Sequence, residues 1–154
     1  MKPMATEKQK TPDNLTTMTI ELSIPSAYGC EKIAMDTARA VARWIGLSEE
    51  RTEDLRTAVS EACLNAIQHG NRLKADRPVR LVFALSQKKL SVDVIDSGMG
   101  IRRRPKTPDL EAILAKNVPS RGWGLYLIEH LVDAVEYHRS KKHGHVTRLI
   151  VNLA

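Results

Sequence analysis

The chain has 154 residues, 42% of them hydrophobic and 27% charged, which fits one ordinary globular domain with enough length to bury a core. Its 24 Lys and Arg against 18 Asp and Glu leave a formal net charge of +6; this permits an anionic partner without requiring one, because the basic residues are spread along the chain. No run is long and apolar enough to span a bilayer, the basic N-terminus lacks the apolar core of a secretion signal, and Cys30 and Cys63 fit neither Cys-x-x-Cys nor zinc-finger spacing, so a cytoplasmic protein with two reduced thiols is expected.

Residues 1–14 are polar, with two prolines, and read as a loose tail ahead of a single domain spanning 15–154. From Leu15 to Ile24, Met18, Ile20, Leu22 and Ile24 alternate and predict a strand closed by Pro25. Ser26 is the expected opener of a first helix carrying Ile33, Thr37, Val41, Trp44 and Ile45, stopped at Gly46. Ser48 with Glu49 and Glu50 predicts the start of a second helix: an N-cap followed by acids at the positive end of the dipole. That helix would bury Leu55, Val59, Ala62 and Ala66 and end near Gly70. Its last turns put Glu61 and Asn65 on one polar stripe, with His69 nearer the edge.

After a basic loop, Val79 to Leu85 and Leu90 to Val94 alternate around a short polar link and predict an antiparallel hairpin. Asp96-Ser97-Gly98-Met99-Gly100 follows directly, then the basic run Arg102 to Lys106. Thr107-Pro108-Asp109 reads as the start of a short helix to about Lys116. Arg121-Gly122-Trp123-Gly124 leads into a helix with Leu125, Ile128, Leu131 and Val132 at helical spacing. Val135 to Arg139, a basic turn through Gly144, and Val146 to Leu153 predict two closing strands. The order argues for an α+β fold: a two-layer sandwich with helices on one face of a mixed, mostly antiparallel sheet.

Three local patterns carry chemistry. A carboxylate and an amide one turn apart suit a hydrated magnesium ion beside a phosphate, because magnesium prefers oxygen and takes only one or two ligands from protein; Glu61 could also deprotonate an incoming hydroxyl. Alone, the stripe reads first as a helix with a polar outer face. An aspartate closing a strand before Gly98 and Gly100 can accept from an exocyclic amine while glycine backbone approaches a flat ring; alone it fits a turn. A glycine-opened helix start behind Arg121 suits phosphate; alone it fits a loop-to-helix junction. No P-loop and no complete dinucleotide fingerprint is present. Nucleic-acid binding has only the charge in its favour, with aromatics at 4%.

Taken in order, Glu61-x-x-x-Asn65-Ala66-x-x-His69, Asp96-x-Gly98-x-Gly100 and Arg121-Gly122-Trp123-Gly124-Leu125 resemble the N box and two glycine boxes of the histidine-kinase-like ATPase superfamily. The wording from Val59 to Asn71 looks most like the bacterial anti-sigma factor serine kinases. The resemblance covers roughly residues 15 to 153. It implies a Bergerat-type sandwich binding Mg-ATP, with a mobile lid between the glycine boxes. It implies Glu61 as general base, Asn65 as magnesium ligand, and Asp96 with Gly98 and Gly100 at the adenine. Gly122, Trp123, Gly124 and Leu125 would lie at the phosphates, and Arg121 is added to them on position and charge. The implied partners are an anti-anti-sigma protein of the STAS fold, phosphorylated on serine or threonine, and a sigma factor; homodimers are common in the family. One departure is visible: where the family often has Gly-Thr entering the last strand, this chain has Gly144-His145-Val146-Thr147, leaving open whether Thr147 sits near the base. A detached histidine-kinase domain and a non-catalytic ATP-dependent binder are the competing readings.

Overall fold

The computed structural model describes residues 18–98, 123–142 and 144–153. Five strands, β1 (Met18–Ile24), β2 (Val79–Leu85), β3 (Lys89–Asp96), β4 (Ala134–Ser140) and β5 (Gly144–Asn152), form one sheet in the order β1-β2-β3-β5-β4. Every described ladder is antiparallel, a more uniform pairing than the mixed sheet expected. Among the described residues three α-helices, α1 (Glu31–Trp44), α2 (Glu49–Asn65) and α3 (Trp123–Leu131), complete the two-layer α+β sandwich. None of the described helices is long and apolar enough to cross a membrane.

One face of the sheet supplies the core: Leu81 and Phe83 from β2, Val92 and Val94 from β3, Leu149 and Val151 from β5. Against them lie Ala38 and Val41 of α1, Leu55, Val59 and Cys63 of α2, and Ile128 of α3. Period two on the strands and period 3.6 on the helices put these residues on facing surfaces. The small residues Ala34, Ala38 and Ala42 of α1 and Ala58 and Ala62 of α2 are all buried. α2 packs against both α1 and α3, and so runs through the middle of the helical layer.

The capping chemistry explains the boundaries. Ser48 Oγ accepts from Arg51 N at 3.2 Å, with Glu49 and Glu50 in the first turn of α2. Gly46, at φ +83°, ends α1, and Leu47 N returns to the Ala42 carbonyl.

Several expectations change. Ser26 does not open α1, which starts at Glu31; its hydroxyl is buried and donates to the Arg77 carbonyl while accepting from Asn71 Nδ2. Those tertiary bonds outcompete a local cap. On β1, Ile24 is buried and Leu22 half-buried, but Met18 and Ile20 are exposed, so the expected apolar stripe fades toward the start of this edge strand. Beyond Asn65 the helix widens into a π-turn over Ala66–Gly70, closed by Asn71 N donating to the Ala66 carbonyl at 2.7 Å. β5 begins at Gly144, not Val146, because Gly144 and His145 pair with Ser140 and Arg139. The tail 1–14, the basic run 102–106 and the short helix expected at 107–116 lie outside the described residues.

Candidate functional site

The end of α2 is where the chemistry gathers. Glu61 and Asn65 are half-buried, one turn apart. The first turn of α3 lies directly against them: a Cβ on Gly124 would stand 2.7 Å from Glu61 Oε2 and 3.6 Å from Asn65 Nδ2. A side chain at this position would make the Glu61 carboxylate shift. Burial pushes the Glu61 carboxyl above its ordinary value, which makes its ionised form a better proton acceptor. Leu125, the next residue, is half-buried and packs on the core, which anchors the start of α3.

Asp96 closes β3 and is only 7% exposed. Its Oδ1 accepts from Gly98 N at 2.7 Å, so the chain folds back over the carboxylate immediately after the strand. Its Oδ2 lies 3.4 Å from His145 Nδ1. Gly70, at the end of the π-turn, presses on the same carboxylate so closely that a Cβ would overlap it. Gly98 in turn lies against Gly70: a Cβ there would meet Gly70 Cα at 2.7 Å. On the other side Gly144, at φ +84°, leaves no room for a Cβ beside the Asp96 carbonyl. Three glycines from three segments therefore converge on one aspartate.

The two groups are consecutive stations along one helix. Gly70 follows Asn65 by five residues, a rise of roughly 7 Å. Glu61, Asn65 and Gly124 make one end of the site, and Asp96, Gly98 and Gly70 the other. His69, expected at the edge of the polar stripe, is exposed beyond it.

Asn71 holds the junction and was not singled out from sequence. It is fully buried. Its Oδ1 accepts from Ser97 N at 2.8 Å, while its Nδ2 reaches Ser26 Oγ at 3.0 Å and the Arg77 carbonyl at 2.8 Å. It thus ties the end of the helix to the residue following Asp96. Its place after Gly70, where a helix must stop, is the one local sign in the sequence.

Thr147 is buried, but β5 sets it opposite Val94, two residues before Asp96 on β3. The residue directly opposite Asp96 is His145. Gly100, Arg121, Gly122 and the Trp123 side chain lie outside the described residues.

A two-station arrangement of this kind can hold an elongated ligand with an amine-bearing ring at Asp96 and a charged end at Asn65. The donors also fit magnesium: Asn65 offers a neutral oxygen beside the Glu61 carboxylate, and a hydrated magnesium ion needs few protein ligands.

Comparison with known proteins adds to this geometry. Residues 28–151 match the histidine kinase-like ATPase domain family. The chain is 36% identical over 129 residues to the serine-protein kinase RsbW of Bacillus pumilus, covering 80% of each protein. It is 33% identical over 132 residues to the serine-protein kinase RsbW of Bacillus subtilis, covering 83% of this chain and 81% of that one. Two solved structures share the fold. One holds the RsbU and RsbW domains of a Mycobacterium tuberculosis protein, with a TM-score of 0.61 at 18% identity; the match takes in 87% of this chain but spans only 32% of that longer one. The other is the SiaB-SiaC complex of Pseudomonas aeruginosa, with a TM-score of 0.56 at 12% identity, covering 86% of this chain and 88% of that one.

Proposed function

The chain belongs to the histidine kinase-like ATPase family, among relatives that are serine-protein kinases, and from that premise we propose how its own residues work. It is an anti-sigma factor kinase that transfers the γ-phosphoryl group of ATP to a serine or threonine of a STAS-type anti-anti-sigma protein, and it captures a sigma factor as its second partner.

Asp96 accepts from the 6-amino group of adenine, with Gly98 and Gly70 keeping the backbone close to the ring. Asn65 provides the protein oxygen for magnesium, which when bound neutralises charge on the phosphates. The first residues of α3, Trp123 to Leu125, meet the phosphates together with Arg121 and Gly122, which precede them in sequence, as glycine-opened helix starts do. Glu61 takes the proton of the partner's hydroxyl as that oxygen attacks the γ-phosphorus and the bond to the β-phosphate oxygen breaks, releasing ADP. Phosphoryl transfer of this kind depends on position and electrostatics more than on covalent help.

The observation that supports this best is the packing of Gly124 against Glu61 and Asn65, with Asp96 reached from the next turns of the same helix. The test is to mix the protein with γ-labelled ATP, magnesium and candidate STAS proteins. Acid-stable label on a partner serine or threonine is the expected result. Acid-labile label on a histidine would replace the reading with a histidine-kinase domain. Tight ATP binding with no label on any candidate would leave a non-catalytic binder.

A further inference from the structure

His145 stands opposite Asp96 in the β3–β5 ladder, on the helix-facing side of the sheet. It is 6% exposed, and its Nδ1 approaches Asp96 Oδ2 at 3.4 Å. A ring nitrogen facing a carboxylate donates to it, which leaves Nε2 to find a partner of its own. That Nε2 is buried and has no hydrogen-bond partner among the described residues. The Tyr137 ring lies nearly parallel to it, at 12° with centroids 6.3 Å apart. The Tyr137 hydroxyl is likewise buried without a partner among the described residues. Arg139 is the charged neighbour across the β4–β5 ladder from His145. A buried polar nitrogen without a partner is a cost that packing alone does not offset; the contact that sets this histidine apart is its other nitrogen, which faces the Asp96 carboxylate.

We propose that His145 is a positioning residue for nucleobase recognition: its Nδ1–H fixes the Asp96 carboxylate in the orientation that accepts from the 6-amino group of a purine. The inference rests on the nucleotide-site reading above. With Gly98 N on Oδ1 and His145 on Oδ2, each oxygen keeps a free lone pair. The carboxylate can then receive an amine without rotating. It also repels a base that presents a carbonyl at the same position, as guanine does. His145 thereby sharpens the preference for ATP over GTP.

The experiment compares H145L, H145N, H145Q and D96N in the full chain, measuring ATP and GTP affinities by titration and KM and kcat for transfer to the partner. Loss of one hydrogen bond to a charged group predicts a rise of about tenfold in ATP Kd and KM for H145L, with a smaller ATP-over-GTP ratio. The change in kcat at saturating ATP should be smaller, because the chemistry is at Glu61. Asparagine places an amide N–H near the position of Nδ1 and should restore most of the affinity; glutamine reaches toward the Nε2 position and should not. Should H145L melt early, the Asn-against-Gln contrast decides instead. Unchanged ATP affinity and selectivity in H145L, or equal rescue by Asn and Gln, overturns the role of His145 while leaving the site intact, provided D96N has lost ATP. Unchanged ATP affinity in D96N overturns the site itself.

Discussion

A Cβ on Gly124 would stand 2.7 Å from Glu61 Oε2, inside van der Waals contact. A side chain at position 124 would therefore take the space this carboxylate now fills. Gly124→Ala forces the α3 backbone or the carboxylate to move. Alanine suits a helix better than glycine by about 1 kcal/mol, so the melting temperature should hold. A carboxylate displaced by about 1 Å costs catalysis on the order of 100-fold. Transfer to the partner should therefore collapse in a folded protein. Normal transfer rates in this variant would remove Glu61 from the chemistry.

Glu61 also sets a pH dependence. Burial raises its pKa, so the folded state favours the neutral acid. For a carboxyl with a raised folded pKa, the stabilising contribution is complete below the unfolded value and disappears as pH rises through the folded one. At neutral pH the ionised group therefore opposes folding, and Glu61→Gln should melt no lower than the parent. Transfer needs the ionised form, so its rate should fall on acidification at a pH above the ordinary glutamate range. Glu61→Gln should keep ATP affinity and lose transfer at every pH. A pH–rate profile flat down to the ordinary glutamate range would contradict the assignment.

Asn71 makes a different prediction, about stability. Asn71→Ala strands Ser97 N and removes the buried amide that the Ser26 hydroxyl and the Pro78 carbonyl accept from; the Arg77 carbonyl keeps only the Ser26 hydroxyl. Losing such bonds costs about 3 kcal/mol, a drop of roughly 6 to 12 °C in a domain of this size. Ser97 adjoins Asp96, so ATP affinity should fall with it. Thermal melts with and without ATP check both.

Asn71 also shows where sequence reading stops. The start of α2 was legible because Ser48, Glu49 and Glu50 act on backbone groups within one turn. The hairpin was legible because alternation is local. Asn71 and Ser26 act across the fold, between residues 45 positions apart, and no spacing announces such a bond. The π-turn at Ala66–Gly70 is a backbone adjustment with no composition of its own. His145 escaped notice because its meaning is its register partner, Asp96, and register appears only when strands pair. The glycine boxes were readable as motifs, but what each glycine excludes a side chain from emerged only with the packing.

The two thiols should differ sharply. Cys63 is fully buried in the core, and burial pushes its thiol up to about 12, with Glu31 adding to the shift. Little thiolate exists near pH 8, and reagent cannot reach it. Cys30 is half-buried at the margin of the core. Iodoacetamide at pH 8 should label Cys30 on the folded protein and Cys63 only in denaturant, as peptide mass mapping will show. Labelling of Cys63 in the native state at a comparable rate would mean that the α2 core opens readily.

Gly70 offers the cleanest separation of binding from folding. Its φ is not in the left-handed region, so alanine brings no backbone strain there. The new methyl would overlap the Asp96 carboxyl group, the mobile end of a short side chain. The carboxylate must therefore rotate away, breaking its bond from Gly98 N and its approach to His145. Losing these two hydrogen bonds costs about 2 kcal/mol, or roughly 4 to 8 °C. The amine acceptor at the ring end of the site is lost outright. ATP affinity in Gly70→Ala should fall by at least about tenfold, approaching that of Asp96→Asn. The double variant should bind no more weakly than the worse single one, because both act on the same contact. Additive losses in that cycle, read by calorimetric titration, would show that Gly70 and Asp96 serve nucleotide binding independently.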